Sequence, residues 1–203
     1  AKLHVLSGGA ISESTETEFV GRGGNKLEQA LEEFNINVKD KLCVDIGAST
    51  GGFTECLLMH GASKVYAIDS GKDQLAQKLR NDERVINIES FNARFVTSAD
   101  IDDNKADIVT MDVSFISQKL LYPAICQITN PNADIITLIK PQFEAGKNAL
   151  NKHGVVKDDK VRQNVVNDII EFAKLSGFTY ISHTQSTTVG SSGNIEFLLH
   201  LKK

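Results

Sequence analysis

Seven short apolar runs punctuate this chain, and between most of them the apolar residues switch to helical spacing. The runs are KLCVDIG, KVYAIDS, RVINIES, ADIVTMDVSF, ADIITLIKP, FTYISHTQS and NIEFLLHLKK. Each is continuous rather than alternating, as strands covered on both faces read. Helical spacing appears first at Leu27, Ala30, Leu31 and Phe34, and again at Phe53, Cys56, Leu57 and His60. It returns at Leu75, Ala76 and Leu79, at Leu121, Ala124, Ile125 and Ile128, and at Val161, Val165, Ile169 and Phe172. Strand and helix in alternation predict an α/β, doubly wound, mostly parallel sheet. Pro123 is expected to kink its helix early, and Gly177 to stop the last one. Only TTVGSSGN joins the final two runs, which leaves no room for a crossover helix. Those two strands are therefore expected to pair antiparallel, and the last strand then starts at the edge where the parallel strands end.

With 203 residues, the chain has the length of about one domain. Its formal charge of −4 excludes a global basic field that would coat nucleic acid, though not a local basic patch. Three cysteines without CxxC spacing read as reduced thiols of a cytoplasmic protein. The five histidines show no HExxH-type pattern, so no metal is expected. No apolar run approaches the roughly 20 residues that span a bilayer, so no membrane partner is expected. Residues 1–20 are rich in Gly, Ser, Thr and Glu and read as a linker or arm, with the domain proper over 21–203.

The bend in CVDIGASTGGFTE lies between the first strand and its helix. Gly47, Gly51 and Gly52 are glycine, but Ser49 stands where the dinucleotide fingerprint has its middle glycine. Such a loop lets backbone approach a ligand, with a helix N-terminus behind it. Asp69 ends the second strand about 20 residues further on, where an adenosine ribose is held in this architecture. Asp45, just before the bend, suits an amino group better than a pyrophosphate. A nucleoside with an amino-acid tail and no phosphate satisfies all of this, and S-adenosylmethionine is such a molecule. Its expected contacts are Asp45, Gly47, Ala48, Ser49, Thr50, Gly51, Gly52, Phe53 and Asp69, with Asn92 a candidate at the adenine edge. A nicotinamide dinucleotide is disfavoured by Ser49 and Asp45.

Chemistry in open α/β sheets gathers beyond the carboxyl ends of the strands. Asp112 ends the fourth apolar run, Lys140 ends the fifth, and Glu196 lies near the start of the seventh. Topology turns all three toward one crevice, which Lys26 on the leading helix can close. Lys147, Lys152, Lys157 and Arg162 lie in or near the loop after the fifth strand, where they can meet phosphates.

Taken in order, RGGNKL, DIGASTGGFTE, MDVSFIS, IKPQFEAGK, HGVVKD and GNIEF resemble the motifs of the TlyA family. Those are hemolysin-like ribosomal RNA 2′-O-methyltransferases related to the FtsJ methyltransferases. The resemblance runs from Val20 onward. It implies a Rossmann-like class I methyltransferase with S-adenosylmethionine as cofactor and ribosomal RNA or a ribosomal subunit as partner. It also implies a catalytic tetrad at Lys26, Asp112, Lys140 and Glu196. In that tetrad Lys140 would take the proton of the ribose hydroxyl, and a lysine does so only when burial or a like charge favours its neutral form. Lys26 would supply that charge and hold the oxygen, Asp112 would orient the lysines, and Glu196 would position Lys26 or the ribose. Family members carry an RNA-binding S4 domain before the catalytic one, so the arm reads as the remnant of a missing S4 domain. The alternatives are a small-molecule methyltransferase and a non-catalytic cytolytic or binding protein.

Overall fold

A computed structural model of the chain describes residues 19–203, together with the backbone of His4–Val5 and Ile11–Ser12, which pair antiparallel. The arm expected over residues 1–20 thus lies almost wholly outside the described residues.

All seven apolar runs form strands of one sheet. They are β1 (Leu42–Ile46), β2 (Lys64–Ile68), β3 (Val85–Ile88), β4 (Ala106–Met111), β5 (Thr129–Ile139), β6 (Thr179–Gln185) and β7 (Phe197–Lys202). Their order across the sheet is β3-β2-β1-β4-β5-β7-β6. The first five run parallel, and β7 inserts antiparallel between β5 and β6.

The strands are continuously apolar because each of their faces meets a different core. On one face Cys43, Val65, Ala67, Ile108, Ile136 and Leu198 pack under α1 (Gly23–Glu33) and α2 (Gly52–Met59). On the other, Val44, Ile46, Met111, Ile135 and Leu199 pack under α4 (Tyr122–Ile128) and α6 (Asp159–Leu175). The turns α3 (Gln77–Arg80) and α5 (Pro141–Glu144) complete the helical set. Gly177 follows α6 at φ +95°, the left-handed stop that its position called for.

Pro123 does not kink a helix. It occupies the first turn of α4, where its missing N–H and fixed φ cost nothing. The segment before it is a separate 3₁₀ turn, Gln118–Leu120. Helical spacing at Leu75 and Ala76 also proves to be loop, with α3 only four residues long. That loop is organised by Glu89, whose carboxylate accepts from the backbone N–H groups of Asp73, Gln74 and Leu75 and pairs with Arg80. These hydrogen bonds, Leu75's foremost, hold the Glu89 carboxyl down at about 2.

Candidate active site

The ends of β1, β4 and β5 and the start of β7 meet at one edge of the sheet. Register explains the meeting. Ile46 pairs with Met111, so Gly47 and Asp112 follow side by side. Ile139 pairs with Phe197, so Lys140 and Glu196 are neighbours one step beyond. The first turn of α1 closes over this edge, tied to α2 at one end and to the β6–β7 connection by Gln29 at the other.

The glycine bend is left-handed three times, at Gly47 (φ +80°), Ser49 (φ +50°) and Gly51 (φ +102°). Gly47 has a second constraint, because a Cβ there would lie 2.3 Å from the Asp112 carbonyl oxygen. Gly47→Ala is therefore expected to destabilise the fold by about 1–2 kcal/mol from the backbone alone, with the steric clash adding to it. Equilibrium urea unfolding would read the loss. Gly52 is needed for packing rather than torsion, since its Cβ would come within 2.8 Å of Gly21 O and Gly24 N, where α1 begins.

A cleft of about 250 Å³ opens here, lined by Gly47, Ala48, Ser49, Thr50, Gly52 and Phe53 on one side. Lys26, Asp112, Lys140 and Glu196 line the other, with Arg22 and Ser191 at its margin. The four charged residues form two ion pairs. Lys26 Nζ donates to Glu196 Oε2 at 2.6 Å, and Lys140 Nζ lies 2.5 Å from Asp112 Oδ1. Their surroundings differ. The Lys26 and Glu196 side chains are 9% and 2% exposed, whereas those of Lys140 and Asp112 are 13% and 21% exposed. An incoming group therefore reaches the Lys140 pair more readily. Lys140 also donates to Ser114 Oγ at 2.9 Å.

Four of the expected cofactor residues, Asp45, Gly51, Asp69 and Asn92, lie outside the cleft lining. Asp45 does not face the cleft. It is fully buried under α2, where Thr54 and Thr110 donate to its two oxygens at 2.7 and 2.9 Å. Burial pushes its carboxyl up to about 7, against the pull of those hydroxyls, and Asp112 and Asp69 add to the rise. Gly51 is the N-cap of α2 and packs toward Leu75 and Leu79. Asn92 is exposed and caps the 3₁₀ turn Ala93–Phe95 by accepting from Arg94 N. Asp69 sits beside the glycine bend and accepts from Ser49 N and Gly71 N, each at 2.7 Å. Of the basic residues after β5, Arg162 is turned inward, donating to the carbonyls of Val156 and Lys157.

Sequence reasoning missed two residues at the site. Gln142, buried in the first turn of α5, donates to Glu196 Oε1 at 2.8 Å and so fixes the carboxylate that holds Lys26. Its signal was its place two residues after Lys140, in a turn that Pro141 starts. Phe115 is 86% exposed and has φ +66°, a costly conformation for a bulky residue. Its ring stands 4.9 Å from that of Phe143, over which Lys140 Nζ lies at 6.0 Å.

This strand order, with its glycine bend at the sheet edge, is the fold of the Rossmann-like methyltransferase class. The chain belongs to the FtsJ-like methyltransferase family, which matches residues 19–203. It is 48% identical over 183 residues to the Bacillus subtilis (strain 168) protein named "Putative rRNA methyltransferase YqxC". That alignment covers 90% of this chain and 65% of the relative, so the chain spans less than two thirds of that relative's length. It is 44% identical to the 16S/23S rRNA (cytidine-2′-O)-methyltransferase TlyA of Mycobacterium tuberculosis, covering 93% of this chain and 70% of that one. A crystal structure of a hemolysin-named protein from Lactococcus lactis superposes with a TM-score of 0.89 at 44% identity, covering 93% of this chain and 90% of the other. Among the described residues, no helix is long and apolar enough to cross a membrane.

Proposed function

We propose that this domain transfers the methyl group of S-adenosylmethionine to a ribose 2′-hydroxyl of ribosomal RNA, in the cytoplasm. The observation that carries the proposal is the convergence of two lysine–carboxylate pairs on the same cleft as the glycine bend. The names of the Mycobacterium tuberculosis and Bacillus subtilis relatives give the substrate class.

The residues present fit the cofactor. The bend offers backbone and small side chains from Gly47 to Thr50 and at Gly52. Asp69, beside the bend though outside the cleft lining, accepts from Ser49 N and Gly71 N and would also take the ribose hydroxyls. Asp45 would act from beneath, by fixing Thr54 at the start of α2. Bound there, the sulfonium supplies an electrophilic methyl. This chain's residues do the rest. Lys140 would take the 2′-hydroxyl proton as that oxygen accepts the methyl group. Asp112 holds the resulting ammonium. Lys26, anchored by Glu196 and behind it Gln142, holds the 2′-oxygen. The RNA affinity of the whole protein would come mainly from basic contacts outside this crevice, such as an S4 domain of the kind the TlyA resemblance implies.

The decisive measurement is transfer of labelled methyl from S-adenosylmethionine to ribosomal RNA, with the position mapped by resistance to alkaline cleavage. A methyl found on a base, or on small molecules but not RNA, would sink the reading. Two further results are expected. Asp69→Ala should weaken S-adenosylhomocysteine binding by roughly 1.5–3 kcal/mol in calorimetry, because the ribose hydroxyls lose a charged acceptor. Phe115→Ala should leave that affinity alone but raise the RNA concentration needed for half-maximal transfer. An exposed, strained aromatic that reaches Lys140 through the ring of Phe143 suits stacking on an unpaired base, worth about 1–3 kcal/mol.

A further inference from the structure

On the far side of α1 from the sheet's C-terminal edge, three side chains that the transfer chemistry does not use converge between α1 and α2. Cys56 and His60 stand one turn apart at the end of α2, and Glu28 faces them from α1. Glu28 takes a contact in each oxygen. Cys56 Sγ donates to Oε2 at 3.6 Å, and His60 Nε2 lies 3.2 Å from Oε1. One ligand atom from each residue falls within 4.8 Å of the other two. The geometry points to a binding site for a zinc-class divalent cation, held by Glu28, Cys56 and His60, that fastens α1 to α2.

Bond lengths carry the argument. Zinc bonds of about 2.3 Å to sulfur and about 2.0–2.1 Å to imidazole nitrogen or carboxylate oxygen put tetrahedral ligand atoms roughly 3.3–3.5 Å apart. The 3.6 and 3.2 Å contacts, made to the two different oxygens of Glu28, are close to those edges. With all three ligand atoms within 4.8 Å of one another, a turn of the Glu28 carboxylate and a modest approach of Cys56 and His60 would complete the set. A thiol, an imidazole and a carboxylate form the mixed, borderline-soft donor set that suits zinc over magnesium or calcium. The sulfur is walled off while the other two ligands are not. Cys56 is fully buried, whereas the His60 and Glu28 side chains are 34% and 29% exposed, which leaves the fourth position to water. Binding is balanced by protons: the thiol releases one to solvent as the metal–sulfur bond forms, and neutral His60 moves its proton to Nδ1 to free Nε2.

The arrangement stands independently of the methyl-transfer assignment, and so does its test. The chelator-treated chain is titrated with Co²⁺ and followed by absorption, then with Zn²⁺ and followed by thermal unfolding. One equivalent of Co²⁺ should give a near-ultraviolet sulfur-to-metal band with tetrahedral visible bands, and Zn²⁺ should raise Tm in a concentration-dependent way. Cys56→Ser should abolish the sulfur band. His60→Asn, at a half-exposed position after the helix, should keep the fold and weaken binding by at least tenfold. No sulfur band in the parent would overturn the inference. So would a band that persists in Cys56→Ser, which would place the metal on Cys43 or Cys126, or a Tm rise undiminished in His60→Asn.

Discussion

Lys140→Ala is expected to lower methyl transfer to ribosomal RNA by about 10²–10⁴-fold while S-adenosylhomocysteine still binds with parental affinity. The reason lies in the separation of parts. The glycine bend and Asp69 belong to β1, β2 and the start of α2, and none of them contacts Lys140 through a hydrogen bond in the structure. Removing the ammonium also leaves Asp112 without its ion-pair partner, but that carboxylate is partly exposed and water can replace the amine. Single-turnover transfer and calorimetry on the same preparation separate the two effects. Parental turnover would remove Lys140 as proton acceptor. Lost cofactor binding would show that the two halves of the cleft are not independent.

Asp45→Asn is expected to make the protein more stable at neutral pH, with the gain vanishing in acid. The folded carboxyl keeps its proton up to about pH 7, whereas an unfolded aspartate releases its own near pH 4. The folded state therefore binds the extra proton, and stability from this group is complete below about pH 4. It is lost as pH rises through the window from about 4 to about 7, and is constant above it. The change across that window is on the order of 4 kcal/mol. An amide has no charge to bury and can still meet the Thr54 and Thr110 hydroxyls, which rotate to accept. Urea unfolding of parent and variant at several pH values should give curves that coincide near pH 4 and diverge toward pH 7. Parallel curves would show that Asp45 is ionised throughout.

The sheet was legible because its signal is collective. Seven apolar runs need only be counted, and the short TTVGSSGN link forces the antiparallel pair whatever its detailed turns. The same topology brought Asp112, Lys140 and Glu196 to one edge before any side-chain geometry was known. What could not be read were facts about direction and distance. Asp45 ends an apolar run just as Asp69 does, but their neighbours differ. Thr54 and Thr110 draw Asp45 inward, while Ser49 N and Gly71 N hold Asp69 beside the bend. The spacing of Leu75, Ala76 and Leu79 suggested a longer helix than exists. Glu89, just after β3, takes the N–H groups of Asp73, Gln74 and Leu75 instead. Gln142 and Phe115 lacked any periodic signature, because a buried amide and a strained ring become visible only when their partners are placed.

The contact between Lys26 and Glu196 spans 170 residues. Its two halves belong to the first helix and to the residue just before the last strand of the described domain, and β7 reaches its place only by threading between β5 and β6. A sheet lacking that strand still possesses the glycine bend, yet it has no anchor for Lys26 and leaves the outer edge of β5 unpaired. The proposed catalytic set thus depends on a pairing 170 residues apart, the kind of closure that costs most chain entropy. On the proposed function, the same closure that finishes the sheet would also complete the site.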